Sequence, residues 1–310
     1  MGTPRIAAII CTHNREQYLG AAIDTLLDQT CDHYEVLVVD NASTDNTKQV
    51  VDVRLEHPRL RYVYESTLGL SSARNRGAVE TSAPILAYLD DDAEASPQWL
   101  NVLAEAFEMQ PKLGVAGGKV TLIWPAGLSA PLWLTDGLAA GLGAYDLGSE
   151  PLQITDPQLT PRGLNYAIRR QFLSEIGGFD VNLGRVGKNL LSNEELYMTE
   201  LALKQGWQVQ YLPTALAAHN VSLERTKQDW FMRRSWWQGV SECYREASAN
   251  RTGPGQFQRG GERLLRGLYK ALKFYRDPAE RFGNLTYAYG QLGYLNAVLR
   301  SRIGQAQWQK

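Results

Sequence analysis

The feature that most constrains the fold is an alternation of short apolar runs with segments of helical spacing. The apolar runs occupy residues 5–11, 34–40, 60–64 and 84–90. Segments with apolar residues at helical spacing occupy residues 15–29, 44–56 and 97–109. Strands and helices that alternate at this interval predict an α/β fold with a mainly parallel, twisted sheet flanked by helices.

Polar residues follow three of these predicted strands directly. They are Thr12 to Arg15, Asp40 to Ser43 and Asp90 to Asp92. Ligands of such sheets bind beyond the carboxyl ends of the strands, so we expect the three groups to share one edge. Asn14 is also expected to cap the first helix.

Composition and motifs exclude several classes of protein. With 44% hydrophobic and 21% charged residues, the 310-residue chain is typical of a folded protein. Its three cysteines show no CxxC spacing, which argues against a disulfide framework and favours a reducing, cytoplasmic location. The first apolar run is too short for a signal peptide. No GxGxxG motif follows the first strand, which argues against a dinucleotide-dependent oxidoreductase. The sequence also lacks the GxxxxGK[ST] motif of P-loop enzymes and the GxSxG motif of a nucleophile elbow.

The net charge of −1 hides an asymmetry between two regions. Residues 1–225 hold 17 basic and 27 acidic side chains, a net −10, whereas residues 226–310 hold 15 and 6, a net +9. We expect a catalytic domain at 1–225 and a basic, aromatic helical extension at 226–310. The extension either packs on the catalytic domain or makes a peripheral contact with an anionic membrane. The uncharged stretch 282–299 is diluted by polar residues and three glycines, which argues against a span.

The acidic triplet Asp90-Asp91-Asp92 is a candidate metal site. Adjacent carboxylates repel one another, and a divalent cation shared with a substrate's phosphates would relieve the repulsion. The alternative is an exposed acidic turn. His219 follows a later apolar stretch, and a lone histidine is either structural or a metal ligand.

Two further groups carry charge at predicted helix starts. Glu194-Glu195 opens a helix over 193–205, where the pair either stabilises the helix N-terminus or provides a catalytic base. Arg74 lies in GLSSARNRG, where it suits a phosphate or carboxylate partner, or a surface ion pair.

Two segments are not assigned to a helix or a strand. Residues 124–163 show no regular spacing of apolar residues and are either a lid or a surface insertion. The glycine cluster LGVAGGKV is not assigned to any element.

Five segments together resemble family 2 of the inverting glycosyltransferases, which have the GT-A nucleotide-diphospho-sugar transferase fold. They cover roughly residues 5–225 and read, in order, AAIICTHNRE, VLVVDNASTDNT, GLSSARNRGAVETSAPILAYLDDDAEASPQWL, GLNYAIRRQFLSEIGGFD and SNEELYMTELALKQGWQVQYLPTALAAH. The ordered set is specific, although any one segment alone is weak. The chain lacks the QxxRW motif of processive members, so we expect one sugar per encounter.

The resemblance implies a role for each candidate residue. The residues expected to line the nucleotide pocket are Thr12, Asn14, Arg15, Asp40, Asn41, Ser43, Arg74, Asp90 and Asp91. The residues expected to hold Mg²⁺ or Mn²⁺ are Asp92, Asp90 and His219. Glu195 stands where the family has an aspartate as catalytic base, and Glu194 is the alternative base.

The expected reaction follows from these roles. A sugar passes with inversion from a nucleotide diphosphate sugar, a UDP-sugar by resemblance, to a hydroxyl of a saccharide or lipid-linked acceptor in polysaccharide or glycoconjugate synthesis. No nucleic acid partner is expected. Two alternatives remain open: an inactive nucleotide-sugar binding module, and a sugar-phosphate nucleotidyltransferase. The second is disfavoured because CTHNRE lacks the glycine-rich stretch of that class.

Overall fold

The computed structural model describes residues 3–185, 189–249 and 251–302. It divides into two compact units. The first contains described residues of Met1–Ile123, Gly143–Val181 and Glu194–Asn220. The second contains those of Trp124–Leu142, Asn182–Asn193 and Val221–Lys310. Two earlier segments thus group with the C-terminal helices, a grouping that sequence spacing does not indicate. The functional division at residue 225 stays a prediction.

One mixed sheet forms the centre of the first unit. In the described part of the chain its nine strands are β1 (Ile6–Thr12), β2 (Tyr34–Asp40), β3 (Leu60–Tyr64), β4 (Ile85–Asp90), β5 (Ala93–Ala95), β6 (Leu113–Ile123), β7 (Leu152–Gln153), β8 (Asn165–Arg169) and β9 (Gln208–Asn220). Their order is β3-β2-β1-β4-β8-β6-β9-β5, with β7 also paired to β9. The sheet is therefore continuous across strands that lie far apart in sequence.

The first four strands form the parallel part of the sheet, as the alternation predicts. β1 pairs in parallel with both β2 and β4, and β2 with β3. Beyond β4 the sheet is mixed, because β8 runs antiparallel to β4 and β6, and β9 is parallel to β6 but antiparallel to β5. β1 and β2 are buried along almost their whole length, which explains their uninterrupted apolar character.

The helices of the first unit follow the strands closely. They are α1 (Glu16–Leu27), α2 (Thr47–Asp52), α3 (Leu70–Glu80), α4 (Trp99–Met109), α6 (Arg170–Glu175) and α7 (Glu194–Lys204). The second unit holds α5 (Asp136–Gly141), α8 (Gln228–Ser248), α9 (Gly255–Lys273) and α10 (Pro278–Arg302). The predicted cap of α1 is wrong, because Arg15 holds that position and Asn14 has φ +54°.

The unassigned glycine cluster LGVAGGKV belongs to β6, the longest strand but one among the described residues. A Cβ at Gly117 would overlap the Asn165 carbonyl oxygen, and one at Gly118 would overlap that of Ala215. Glycine is therefore required where the neighbouring backbones approach most closely. This requirement masks the strand, because glycine lowers the β-propensity of the segment.

The second unit has its own apolar contacts. Trp133, Phe231 and Phe282 pack edge to face, with ring centroids 5.0–6.5 Å apart. Residues of α8 and α10 form a further buried cluster that includes Val240 and Tyr294. Of the helices that the structure describes, none is both long and apolar enough to cross a membrane.

Candidate active site

Three strand ends bring the predicted polar groups to one edge of the sheet. In the register of the parallel strands Thr12 lies beside Asp40, and Cys11 lies beside Asp90. Since β2, β1 and β4 are neighbours, the residues that follow them emerge together. The expected shared edge is therefore present.

Asp40 is buried at the end of β2 and accepts two hydrogen bonds. Its Oδ1 accepts from the Ser43 backbone N–H at 2.9 Å, and its Oδ2 accepts from the Tyr62 hydroxyl at 2.8 Å. Burial first, and this hydrogen bond second, raise the pKa of Tyr62 above its usual value, so the phenol stays protonated. Tyr62 was not singled out in sequence, where it resembles any strand tyrosine.

Asn14 and Asn41 brace loops in the described structure. The Asn14 Oδ1 accepts from the Thr44 N–H at 2.7 Å, which joins the loops after β1 and β2. The Asn41 side chain donates to the Thr67 carbonyl at 2.7 Å and accepts from the Gly69 N–H at 2.8 Å. Both asparagines thus hold the backbone that surrounds the shared edge.

Asp91 and Asp92 are buried beside the guanidinium of Arg15. Arg15 lies 3.8 Å from the Asp91 Oδ1 and 3.7 Å from the Asp92 Oδ2. Burial first, and the charge of Asp92 second, raise the pKa of Asp91 to about 7, although Arg15 opposes the rise. The raised proton affinity of Asp91 reflects the burial of its charge beside that of Asp92, an effect that a bound cation would offset.

The short pairing of β5 with β9 joins Asp92 to His219. Ala93, next to Asp92, lies opposite His219 in this antiparallel ladder, and the Asn220 N–H donates to the Asp92 carbonyl at 2.8 Å. The Asp92 Oδ1 is 3.1 Å from the His219 Nε2, and both side chains are about 95% buried. Two residues that sequence patterns single out separately are therefore neighbours.

This pair has the chemistry of a partial metal site. A carboxylate and an imidazole are both common ligands of divalent cations. Among the described residues no three His, Cys, Asp or Glu side chains are grouped to hold a metal ion by themselves. Asp92 and His219 thus fit a cation whose remaining ligands come from a bound substrate or water.

A second charged group surrounds Arg74 on α3. The Arg74 side chain is 2% exposed, and its Nη1 donates to the Glu195 Oε1 at 3.0 Å and to the Glu194 Oε1 at 3.4 Å. Its Nη2 donates to the Gly163 carbonyl at 3.2 Å. Although burial opposes the charge, the carboxylates of Glu195 and Glu194 raise the pKa of Arg74, so it stays protonated. The surface ion pair considered for Arg74 is excluded by this burial.

Gly163 connects the two charged groups, a role that no sequence pattern indicates. A Cβ at this position would overlap the Glu195 Oε1 and lie 2.7 Å from the Arg74 Nη2. Its neighbour Leu164 accepts a hydrogen bond from the Asp90 N–H at 3.3 Å. Gly163, which lies beside Glu195, is therefore adjacent in the chain to Leu164, which is hydrogen-bonded to Asp90. The glycine of the GLNYAIRR segment was the available signal.

Comparison with known proteins identifies a matching family and a related sequence. The model of the family "Glycosyl transferase family 2" matches residues 7–134, which include the ends of β1, β2 and β4. A glucosyl-dolichyl phosphate glucuronosyltransferase of Haloferax volcanii is 27% identical over 247 residues, which cover 77% of this chain and 76% of the relative.

Solved structures resemble the chain in fold. A mannosyltransferase of Pyrobaculum calidifontis in complex with GDP-Man and Mn²⁺ aligns with a TM-score of 0.56 at 20% identity, covering 99% of this chain and 77% of that one. GalNAc-T7 with UDP, GalNAc and Mn²⁺ also aligns with a TM-score of 0.56, at 18% identity, covering 80% of this chain and 51% of that one. At these identities the likeness shows the fold.

Proposed function

We propose that this glycosyltransferase, whose family 2 domain has the GT-A fold, transfers one sugar with inversion from a nucleotide diphosphate sugar to an acceptor hydroxyl. The observation that carries the proposal is the position of Glu195. It is held by Arg74 beside Gly163, which precedes Leu164, and the Leu164 carbonyl accepts a hydrogen bond from the Asp90 N–H.

The donor's diphosphate lies near Asp92 and His219 in the proposed complex. These two side chains would hold a divalent cation once the donor supplies further oxygen ligands. Such a cation would stabilise the negative charge of the leaving diphosphate, so no strong acid would be required. Mn²⁺ is the ion to test first, because two similar structures contain it.

Arg15 and the residues after β2 serve the nucleotide in this proposal. Arg15 already lies within 4 Å of two carboxylates, and a bound cation would compete for them and leave the guanidinium available to a phosphate. Asp40 and the loops braced by Asn14 and Asn41 line the nucleoside side. UDP is the first nucleotide to test, as the family resemblance implies.

Glu195 is the general base for the acceptor. The acceptor oxygen attacks the donor's anomeric carbon, the bond from that carbon to the diphosphate oxygen breaks, and the hydroxyl proton passes to Glu195. Attack from the side opposite the leaving group inverts the anomeric centre. Arg74 positions the carboxylate, and the extra methylene relative to aspartate moves the base toward the acceptor.

The variant Glu195→Gln tests this assignment. It retains size and hydrogen bonding but removes the proton acceptor, so turnover should fall by about 10²–10⁴-fold. Nucleotide release from a panel of nucleotide sugars measures turnover, and calorimetry with UDP and Mn²⁺ should show unchanged donor affinity.

Glu194→Gln is the matched control, because Glu194 bonds to the same arginine but is more deeply buried. Normal turnover in Glu195→Gln together with loss in Glu194→Gln would transfer the role to Glu194. Binding of a nucleotide sugar without any turnover, by the unaltered chain and across a broad acceptor panel, would favour the binding module.

A further inference from the structure

Helix α9 of the second unit carries an apolar face that points to solvent. Leu265, Leu268, Tyr269 and Leu272 follow one another at spacings of three, one and three residues, which places them on one side of a helix. Leu265, Tyr269 and Leu272 are 67%, 65% and 75% exposed. Tyr275, 58% exposed, continues the same side just beyond the helix. We call these five residues the apolar face of α9.

This face is distinct from the side by which α9 is packed. The buried residues of the helix are Gln256, Gly260, Gly267 and Ala271. A Cβ at Gly260 would meet Leu295, and one at Gly267 would meet Ala288, so this side contacts α10. At 100° per residue the apolar face lies roughly 125° around the helix from the packed side. The exposed leucines are therefore additional to those needed for packing.

A third side of α9 is basic. Arg259, Arg263, Arg266, Lys270 and Lys273 recur every three or four residues and so share one side of the helix. Residues 255–276 contain six basic side chains and one acidic one, Glu262, a net charge of +5. Single exposed apolar residues are ordinary, but a continuous apolar stripe flanked by a basic stripe is typical of helices that lie in a membrane interface.

We propose that the apolar face of α9 inserts into the interface of an anionic lipid bilayer while the basic side contacts the headgroups. The leucine side chains bury apolar surface in the bilayer, and the tyrosine side chains lie at the boundary between the headgroups and the acyl chains. The 19 residues of the helix extend about 28 Å, so the four apolar residues within it and Tyr275 just beyond its end can contact one surface together. The attachment is peripheral.

A second copy of the chain is a poorer occupant of this surface. A two-fold dimer that buried the apolar face would bring two α9 helices together, each with a net charge of +5 over residues 255–276. Like charges at such an interface repel, whereas an anionic surface attracts both the side chains and the helix as a whole. The charge therefore selects the lipid surface.

Co-sedimentation with vesicles tests the proposal, with phosphatidylcholine alone compared with phosphatidylcholine and about 30% phosphatidylglycerol. The chain should pellet with the anionic vesicles at about 20 mM salt and less at about 500 mM, where the Debye length is several-fold shorter. Lys270→Glu/Lys273→Glu should weaken binding at least about 25-fold, since each basic side chain near such a surface contributes about fivefold. Leu265→Ser/Leu272→Ser should weaken it about tenfold or more.

Matched controls separate this surface from general stickiness. Leu132→Ser removes a fully exposed leucine of the second unit, and Lys204→Glu/Lys227→Glu reverses two exposed lysines elsewhere. Both controls should bind like the unaltered chain, and every variant should keep its melting temperature and its affinity for UDP. Failure to pellet with anionic vesicles, or equal binding by Leu265→Ser/Leu272→Ser, would overturn the proposal. A dimer by light scattering that this variant dissociates would assign the face to a second copy instead.

Discussion

At the residue scale, Arg74 compensates the charge of the buried Glu194 and of the partly buried Glu195. It is the cation within hydrogen-bond distance of both Glu194 and Glu195 among the described contacts. Its guanidinium also lies 5.5 Å from the Phe179 ring centroid. A fully buried charge in this position costs desolvation free energy, which several simultaneous contacts offset.

Replacing Arg74 by methionine should therefore destabilise the protein strongly. Methionine retains much of the volume but removes the cation that bonds to both carboxylates, and we expect the free energy of unfolding to fall by about 3–5 kcal/mol. Urea denaturation monitored by circular dichroism measures the change. Arg76→Met is the control on the same helix, because Arg76 forms surface ion pairs with Glu65 and Glu80. It should cost no more than about 1 kcal/mol, and equal losses in both variants would contradict the argument.

Asp91 should make the stability of the metal-free protein depend on pH. Its pKa rises from 3.8 to about 7 on folding, so the folded state binds the proton more tightly between these values. This contribution is fully present below the unfolded pKa and is lost as the pH rises through about 7. In EDTA, the wild type should lose stability relative to Asp91→Asn between about pH 4 and pH 7.

Urea midpoints of both proteins across that pH range provide the measurement. A divalent cation favours the ionised pair, so Mn²⁺ should reduce the difference at high pH. Parallel pH profiles for wild type and Asp91→Asn would show that the raised proton affinity does not reside at Asp91.

At the element scale, glycine sets how closely α8 and α10 approach. A Cβ at Gly239 of α8 would overlap the Gly290 carbonyl oxygen of α10, and one at Gly293 would overlap that of Trp236. The three glycines that dilute the uncharged stretch 282–299 therefore include contact points between helices. In the sequence alone, these glycines indicate only that the stretch 282–299 has low hydropathy.

Two glycine-to-alanine variants should have opposite effects on stability. Gly239→Ala should destabilise the second unit by about 1–3 kcal/mol, because the added methyl group forces the helices apart. Gly261→Ala, in α9, meets no atom within 4 Å and should stabilise by up to about 1 kcal/mol through helix propensity. Thermal melts followed by circular dichroism check both signs. A stabilised Gly239→Ala protein would mean that α8 and α10 are further apart than described.

At the scale of the whole molecule, donor and metal should stabilise the fold jointly. If Asp92, His219 and the diphosphate share one cation, UDP binds the protein more tightly when Mn²⁺ is present. Mn²⁺ in turn binds the protein more tightly when UDP is present. At 100 times the dissociation constant a ligand adds about 2.7 kcal/mol, a rise of roughly 5 °C in melting temperature for a protein of this size.

Differential scanning calorimetry with UDP, with Mn²⁺ and with both tests this coupling. The joint shift should exceed the sum of the separate shifts, and it should vanish in EDTA and in Asp92→Asn. A UDP shift that is equal with and without EDTA would refute a shared cation.

The sequence by itself determined the parallel half of the sheet and the residues at its edge. Both depend on local information. Each of the strands β1, β2 and β4 is located by its own apolar run, and the end of each strand is located by the polar residue that follows the run. The start of α1 is not determined locally, because a side chain that could cap a helix can equally bond to a distant loop, as Asn14 does.

The tertiary structure alone decided which of these residues meet. Arg74 and Glu195 are 121 positions apart, and Asp92 meets His219 only because β5 pairs with β9. The pairing of distant strands depends on close contacts at Gly117, Gly118 and Gly163, which no periodicity encodes. Local patterns specify each strand and helix, but the order of β8, β6, β9 and β5 is a property of packing between segments.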